Sequence, residues 1–320
     1  MRGIAIRAGI AAAVAIAAFA ALVVVLNATV LSATGYVESY LAALQRHDAV
    51  TALELAGDPP ATSRRTDLLV DAAIVPVTVN EVTAGDEIDG VTPVTVAFEV
   101  DGRQGVTEFS LQRTGSLFGL FPTWGFVESP LSSVEITVMH TTEFTANGIA
   151  LRTPAQDVPV RYLAFSPGIL TLEHESSLLV ATPETVLVDS SSTRALLDAR
   201  ASEAFIAQVQ AEVDAYLADC ASQEVLMPSG CPFGQRIPDR IVSAPEWSIV
   251  SSPIIRLDPT STPGEWTTPN ADGVARLVVD VKSIYDGDID TFDEPVPFSI
   301  GFTVTFVGAR EIVLTPRFDG

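Results

Sequence analysis

Cys220 and Cys231 are the chain's two cysteines, with ten residues between them. Cys220 closes the apolar face of a helical pattern. Cys231 lies in Pro228-Ser229-Gly230-Cys231-Pro232, a turn-forming stretch. In an oxidising compartment two such cysteines pair, stapling the helix end to the following loop. In a reducing one they stay as two buried thiols. A redox-active pair is disfavoured, because the spacing is not Cys-x-x-Cys and no His or Lys lies nearby to stabilise a thiolate.

Asp286, Asp288, Asp290, Asp293 and Glu294 form an acidic cluster that opens like a calcium loop, whose hard cation takes several carboxylate oxygens. The sixth position is Thr291, where such a loop needs Gly, and the twelfth is Pro297, where it needs Glu. A solvated hairpin loop is the plainer reading, with weak divalent-ion binding as the alternative. His47, His140 and His174 are spread along the chain without metal-ligand spacing and read as surface or loop residues. Nucleophile elbow, phosphate loop, dinucleotide fingerprint and His-Glu-x-x-His motif are all missing. No catalytic, cofactor-binding or metal-binding residue is therefore assigned. The densest aromatic stretch is residues 117–126, Leu117-Phe118-Gly119-Leu120-Phe121-Pro122-Thr123-Trp124-Gly125-Phe126. It reads first as core packing and edge-strand anchoring, with a cavity lining or an exposed contact patch as alternatives. Trp247 and Trp266 read as core.

The composition narrows the class. The chain has 320 residues, enough for two or three domains, and 48% of them are hydrophobic against 18% charged. A mean hydropathy of +0.34 is high for a soluble chain and low for a multi-span membrane protein. The net charge of −22 repels nucleic acid and anionic headgroups, so nucleic acid is excluded as a partner.

A run from Ala8 to Leu26 holds 19 apolar residues, nine of them Ala. As a helix it is roughly 28 Å long, near the ~30 Å hydrocarbon thickness. Arg2 and Arg7 precede it and no acidic residue occurs before Glu38. The positive-inside rule keeps residues 1–7 as a cytoplasmic stub and sends the rest outward. The exported part then carries 16 basic and 40 acidic residues, a net charge of −24. The expectation is an uncleaved signal anchor over residues 8–30, in the cell membrane as a single span. A cleaved signal peptide competes with it, but its apolar core spans about 7–15 residues, and Val30-Leu31-Ser32 makes a poor cleavage site. Gly9, Ala13, Ala17 and Ala21 recur every four residues, either as a helix-packing face or as a by-product of Ala content.

Beyond the run, Val37, Tyr40, Leu41 and Leu44 fall at helical spacing. His47-Asp48 interrupts the pattern, Val50, Leu53 and Leu55 resume it, and Gly57-Asp58-Pro59-Pro60 ends it. Strands are expected over residues 73–82, 92–100, 106–113 and 123–128, with Asp101-Gly102 as a hairpin turn. Residues 131–189 read as short strands of a small β-sandwich, with turns at Asn147-Gly148 and Pro167-Gly168. Asp189 to Thr193 reads as a linker or helix entry. Phe205, Val209, Val213, Tyr216, Leu217 and Cys220 line one helix face. Strands are expected over residues 247–257, 274–284, 297–307 and 310–316. The fold class is α+β, and the last segment repeats the first in pattern only.

Tyr36-Val37-Glu38-Ser39-Tyr40-Leu41 with Leu44, Asp48 and Leu53 resembles the opening helix of nuclear-transport-factor-2-like (NTF2-like) domains, with His47 where a Gly is common. Asn147-Gly148 and Phe165-Ser166-Pro167-Gly168-Ile169-Leu170-Thr171-Leu172 resemble the small immunoglobulin-like (Ig-like) repeats of bacterial envelope proteins. A span followed by such modules is similar to the layout of the teicoplanin-resistance-associated (TcaA) family. The resemblance implies an NTF2-like domain at 35–130, an Ig-like sandwich at 131–189 and a second NTF2-like domain at 193–320. It implies a non-catalytic scaffold or binding module of the envelope, whose partner is another envelope protein or a cell-wall component. The alternative is an extracytoplasmic enzyme or small-ligand carrier using an NTF2-like cavity, with His47 and Asp48, or Asp58, pointing inward.

Overall fold

The computed structural model describes residues 2–57, 65–189, 193–307 and 311–318, and side chains among them except those of residues 2–12, 307 and 311. Asp58 lies outside the described residues. The chain is α+β and divides into two compact units: residues 1–174 with 182–198, and residues 175–181 with 199–320.

The first unit opens with helix α1 (Arg2–Ala28), then α2 (Ala33–Gln45) and α3 (Ala49–Ala56). Ser32 caps α2 by accepting from the Gly35 amide, and Asp48 caps α3 by accepting from Thr51. His47 between them takes φ 55°, the left-handed geometry that glycine adopts at least cost. Strands β1 (Thr78–Ala84), β2 (Val91–Val100), β3 (Arg103–Leu117) and β4 (Phe121–Phe126) follow as an antiparallel meander. β2 alternates without a break: Val94, Val96, Phe98 and Val100 are buried and their neighbours half-exposed. This face packs with Val37, Tyr40, Leu41 and Leu44 of α2 in one core. The strand expected from residue 73 begins at Thr78, since Asp71–Ala73 forms a 3₁₀ turn.

Next come β5 (Leu131–Met139), β6 (Glu143–Ala146), β7 (Ile149–Arg152), β8 (Val160–Phe165) and β9 (Gly168–Glu173). They are followed by β10 (Leu179–Ala181), β11 (Glu184–Val188) and β12 (Thr193–Ala201). In the first unit β12, β5 and β8 lie side by side, as do β11, β9, β6 and β7. Phe144 of β6 meets Tyr162 of β8 edge-on at 6.0 Å, so the two sets of strands are in contact. Residues 35–130 and 131–189, expected as separate domains, share one core: Leu131, Leu163, Phe165 and Ile169 join the cluster built on α2 and β2.

Thr193 is no helix entry. It opens β12, whose residues 193–198 run parallel to β5, while residues 199–201 pair with β10 in the second unit. Ala195, Leu197 and Ala199 are buried in alternation.

The second unit contains α4 (Glu203–Ala221), capped by Ser202, with Phe205, Val209, Val213, Leu217 and Cys220 buried along one face. Its strands are β13 (Arg240–Ile241), β14 (Glu246–Ser251), β15 (Asp258–Pro259), β16 (Glu265–Thr267), β17 (Ala271–Lys282), β18 (Ile289–Val307) and β19 (Glu311–Arg317). β18 pairs with β17 up to Ile300 and with β19 from Gly301, so one 19-residue strand serves two sets of neighbours. Gly301 marks the change, where Thr268 O and the side chains of Asn270 and Arg317 leave no room for a Cβ. Phe205 of α4 contacts Trp266 and Phe306, and Tyr216 contacts Phe302, so the helix lies against the sheet.

Candidate functional site

The aromatic stretch at residues 117–126 divides in two. Phe126 lies 5.5 Å from the rings of Tyr36, Tyr40 and Phe109, in the core between α2 and the sheet. Trp124 donates its indole N–H to the Leu31 carbonyl at 2.9 Å. On its other side the Arg113 guanidinium sits 5.3 Å from the ring centroid and pairs with Glu87 at 3.2 Å. Leu117, Phe118 and Leu120 form the turn instead and are exposed, Phe118 by 91%. Core packing thus describes the base of this hairpin and not its tip. Asn27 Nδ2 donates to the Leu120 carbonyl at 2.9 Å, tying the tip to the end of α1.

The end of α1 is closed by backbone bonds from Thr29 and Leu31 to Leu26 O. There the chain bends by 60° into α2. Gly35 permits the bend, because a Cβ there would stand 2.6 Å from the Thr29 carbonyl oxygen. Among the residues whose side chains are described, no single helix is long and apolar enough to cross a membrane; Ala13–Ala28 and Ala33–Gln45 meet the length and composition only together. α2 is committed elsewhere, since Val37, Tyr40, Leu41 and Leu44 are all buried. α1 is different: Val14, Ile16, Phe19, Leu22, Val24 and Val25 are exposed. Its backbone covers 27 residues, which include the expected run from Ala8 to Leu26.

A cavity of ≈ 20 Å³, the size of about one water molecule, lies among Leu44, Leu68, Ile74, Phe165, Ile169 and Val188, and no carboxylate lines it. His47 is exposed and does not point inward. Asp48 is held below the usual carboxylate range by its bonds to Thr51, as a helix cap. Tyr40 is fully buried and donates to the Ser166 carbonyl at 3.0 Å; burial pushes its pKa far above the ordinary phenol value.

His140 and His174 lie in loops, as expected, yet both are covered. His140 Nδ1 lies 3.2 Å from Asp198 Oδ1 and its side chain is mostly covered. His174 is buried. Among the described residues, no three His, Cys, Asp or Glu side chains gather as a metal site. The acidic cluster is part turn and part strand. Asp290, Asp293 and Glu294 lie on β18, and Asp293 takes a two-pronged bond from Arg276 at 2.6 Å. That guanidinium lowers the Asp293 pKa. Trp247 and Trp266 are buried.

Cys220 and Cys231 are bonded to each other, their Cα atoms 5.7 Å apart. The loop they close carries its own bonds. Tyr216 donates to the Gly230 carbonyl, and the Ser229 amide donates to Gln223 Oε1 at 2.8 Å.

Asn147 is a junction that its turn signal did not reveal. Its Nδ2 donates at 2.8 Å to both Ala73 O and Ile169 O, and its Oδ1 accepts from the Thr171 amide at 2.8 Å. No family model, curated protein or solved structure matches the chain.

Proposed function

We propose that the chain is a single-pass bacterial envelope protein, anchored by α1 with residues 1–7 in the cytoplasm and the bulk outside. Its exterior acts as a non-catalytic scaffold or binding module toward an envelope protein or a cell-wall component. The observation that carries this reading is the exposed apolar surface of α1, joined at Ala28 to a folded unit. Its 27 residues span roughly 40 Å, more than the hydrocarbon core requires. Side chains such as Ile16, Phe19 and Val24 gain by leaving water for lipid. The bonded Cys220–Cys231 pair supports an oxidising, extracytoplasmic location.

In this reading the first unit combines an NTF2-like module, with α2 and α3 broken at His47-Asp48 and laid on a four-stranded meander, and an Ig-like sandwich. The second unit is NTF2-like in carrying α4 against its antiparallel strands. The cavity among Leu44, Leu68 and Val188 is too small and too apolar to serve as a reaction chamber.

Membrane fractionation tests the anchor. The full chain should stay in the pellet through alkaline carbonate washing, and protease added to intact spheroplasts should digest the bulk. Extraction by carbonate, or survival of the bulk until lysis, would overturn the reading. A mature amino terminus beyond residue 30 would assign a cleaved leader instead.

A further inference from the structure

We infer that the tip of the β3–β4 hairpin, Leu117, Phe118 and Leu120, is a second membrane contact, seated in the headgroup and upper acyl region of the outer leaflet beside α1. The inference rests on the anchor reading above and adds a lipid-binding surface to it.

Three contacts place the tip. Phe126 meets the rings of Tyr36 and Tyr40 in α2. Two residues earlier, Trp124 bonds Leu31 O. Four residues earlier again, Leu120 O accepts from Asn27. The hairpin therefore descends alongside the chain as the chain runs back toward α1, and the turn is its membrane-proximal end. An apolar run ending at Leu26 puts Asn27 at the rim of the hydrocarbon, and the 2.9 Å bond puts Leu120 O within one side chain of that level.

The chemistry of the tip fits lipid. Residues 114–126 contain no charged side chain, in a chain with net charge −22. Leu117, Phe118 and Leu120 are 58%, 91% and 46% exposed. Phe118 takes φ 54° in the turn, a conformation that glycine or asparagine fills at lower cost. A bulky ring kept there, strained and in water, gains by entering an apolar phase. Trp124, amphipathic and just above the tip, matches the aromatic belt found at bilayer interfaces.

The opposite turn of the same strand is the internal control. Asp101-Gly102 joins β2 to β3, roughly 45 Å of strand away from Phe118. The full chain is purified without reductant, keeping the native disulfide closed. It is reconstituted in phosphatidylcholine–phosphatidylglycerol vesicles with a nitroxide at Phe118→Cys, Ala21→Cys or Asp101→Cys. Collision with oxygen against a water-soluble nickel chelate reads the depth of each. The expected result is Ala21→Cys deep in lipid, Phe118→Cys about 5–10 Å into the headgroup–acyl boundary, and Asp101→Cys in water. Phe118→Cys as wet as Asp101→Cys, with Ala21→Cys in lipid, overturns the second contact and leaves the anchor standing. Ala21→Cys in water removes the anchor reading, and this inference with it. All three positions are exposed, so the labels leave the core intact.

Discussion

Phe98 and Gly105 face each other across the β2–β3 ladder, and the phenyl ring fills the space a Gly105 side chain would take. The second unit repeats the device with Phe298 and Gly273 across β17 and β18. In each pair the glycine gives up strand propensity so that a large ring can lie flat over the backbone. The glycine is on the later strand in the first unit and the earlier strand in the second, so the units share a packing solution and not a register.

Gly105→Ala should therefore destabilise the first unit. Its Cβ would stand 2.5 Å from Phe98 Cζ and 3.0 Å from Leu187 Cδ2, and the ring has no exposed side to turn toward. The expected cost is about 1–3 kcal/mol, as for other overpacked cores. Gly273→Ala should do the same in the second unit. Urea unfolding followed by intrinsic fluorescence measures both. An unchanged midpoint in either would mean that the ring relaxes freely.

Tyr40→Phe removes the hydroxyl that satisfies the buried Ser166 carbonyl, 126 residues away. The expected loss is about 1–3 kcal/mol, the cost of an unpaired buried polar group. The phenol also sets a pH limit. Its folded pKa lies above the unfolded value of 10.0, so its contribution is complete below pH 10 and is lost as the pH rises further. Stability of the native chain should fall above pH 10, and Tyr40→Phe should flatten part of that fall. Tyr36, Tyr162 and Tyr216, raised by burial in the same direction, supply the remainder. Thermal unfolding across pH 8 to 11, a range that brackets the ordinary phenol pKa of about 10, checks the slope.

Asn147→Ala deletes two donors and one acceptor at once, stranding Ala73 O, Ile169 O and the Thr171 amide. It also places alanine at φ 47°, which asparagine tolerates better. The combined loss is expected near ~3 kcal/mol. Amide hydrogen exchange should show faster opening at Thr171 than in distant β2. A loss confined to the β6–β7 turn, with Thr171 protection unchanged, would contradict the junction role.

Reduction of the Cys220–Cys231 bond should weaken the second unit and spare the first. Releasing a loop this short costs roughly 3 kcal/mol in the chain-entropy model. The bonds from Tyr216 to Gly230 and from Ser229 to Gln223 should keep the loop partly ordered, so the unit should stay folded at room temperature. Calorimetry with and without reductant, compared with Cys220→Ala/Cys231→Ala, checks this. Equal shifts in both transitions would deny the units their independence.

Local chemistry was plain in the residues themselves. The alternation of β2, the apolar face of α4, the Asp101-Gly102 turn and the break at His47-Asp48 each depend on neighbours within a few positions, and each stands in the structure. So does the pairing of the only two cysteines. β12 was half legible: Ala195, Leu197 and Ala199 alternate, yet small side chains give a weak signal, and the parallel partner β5 begins 62 residues before it. The shared core of residues 35–130 and 131–189 was not legible at all. Neither was the reach of Asn147 to Ala73, or the bond from Asn27 that brings the Leu120 turn beside α1. Periodicity shows which face of an element is apolar, because burial demands it wherever the partner lies. Which partner that face meets depends on how the whole chain closes on itself, and contacts spanning 74 or 93 residues leave no mark in the spacing of either end.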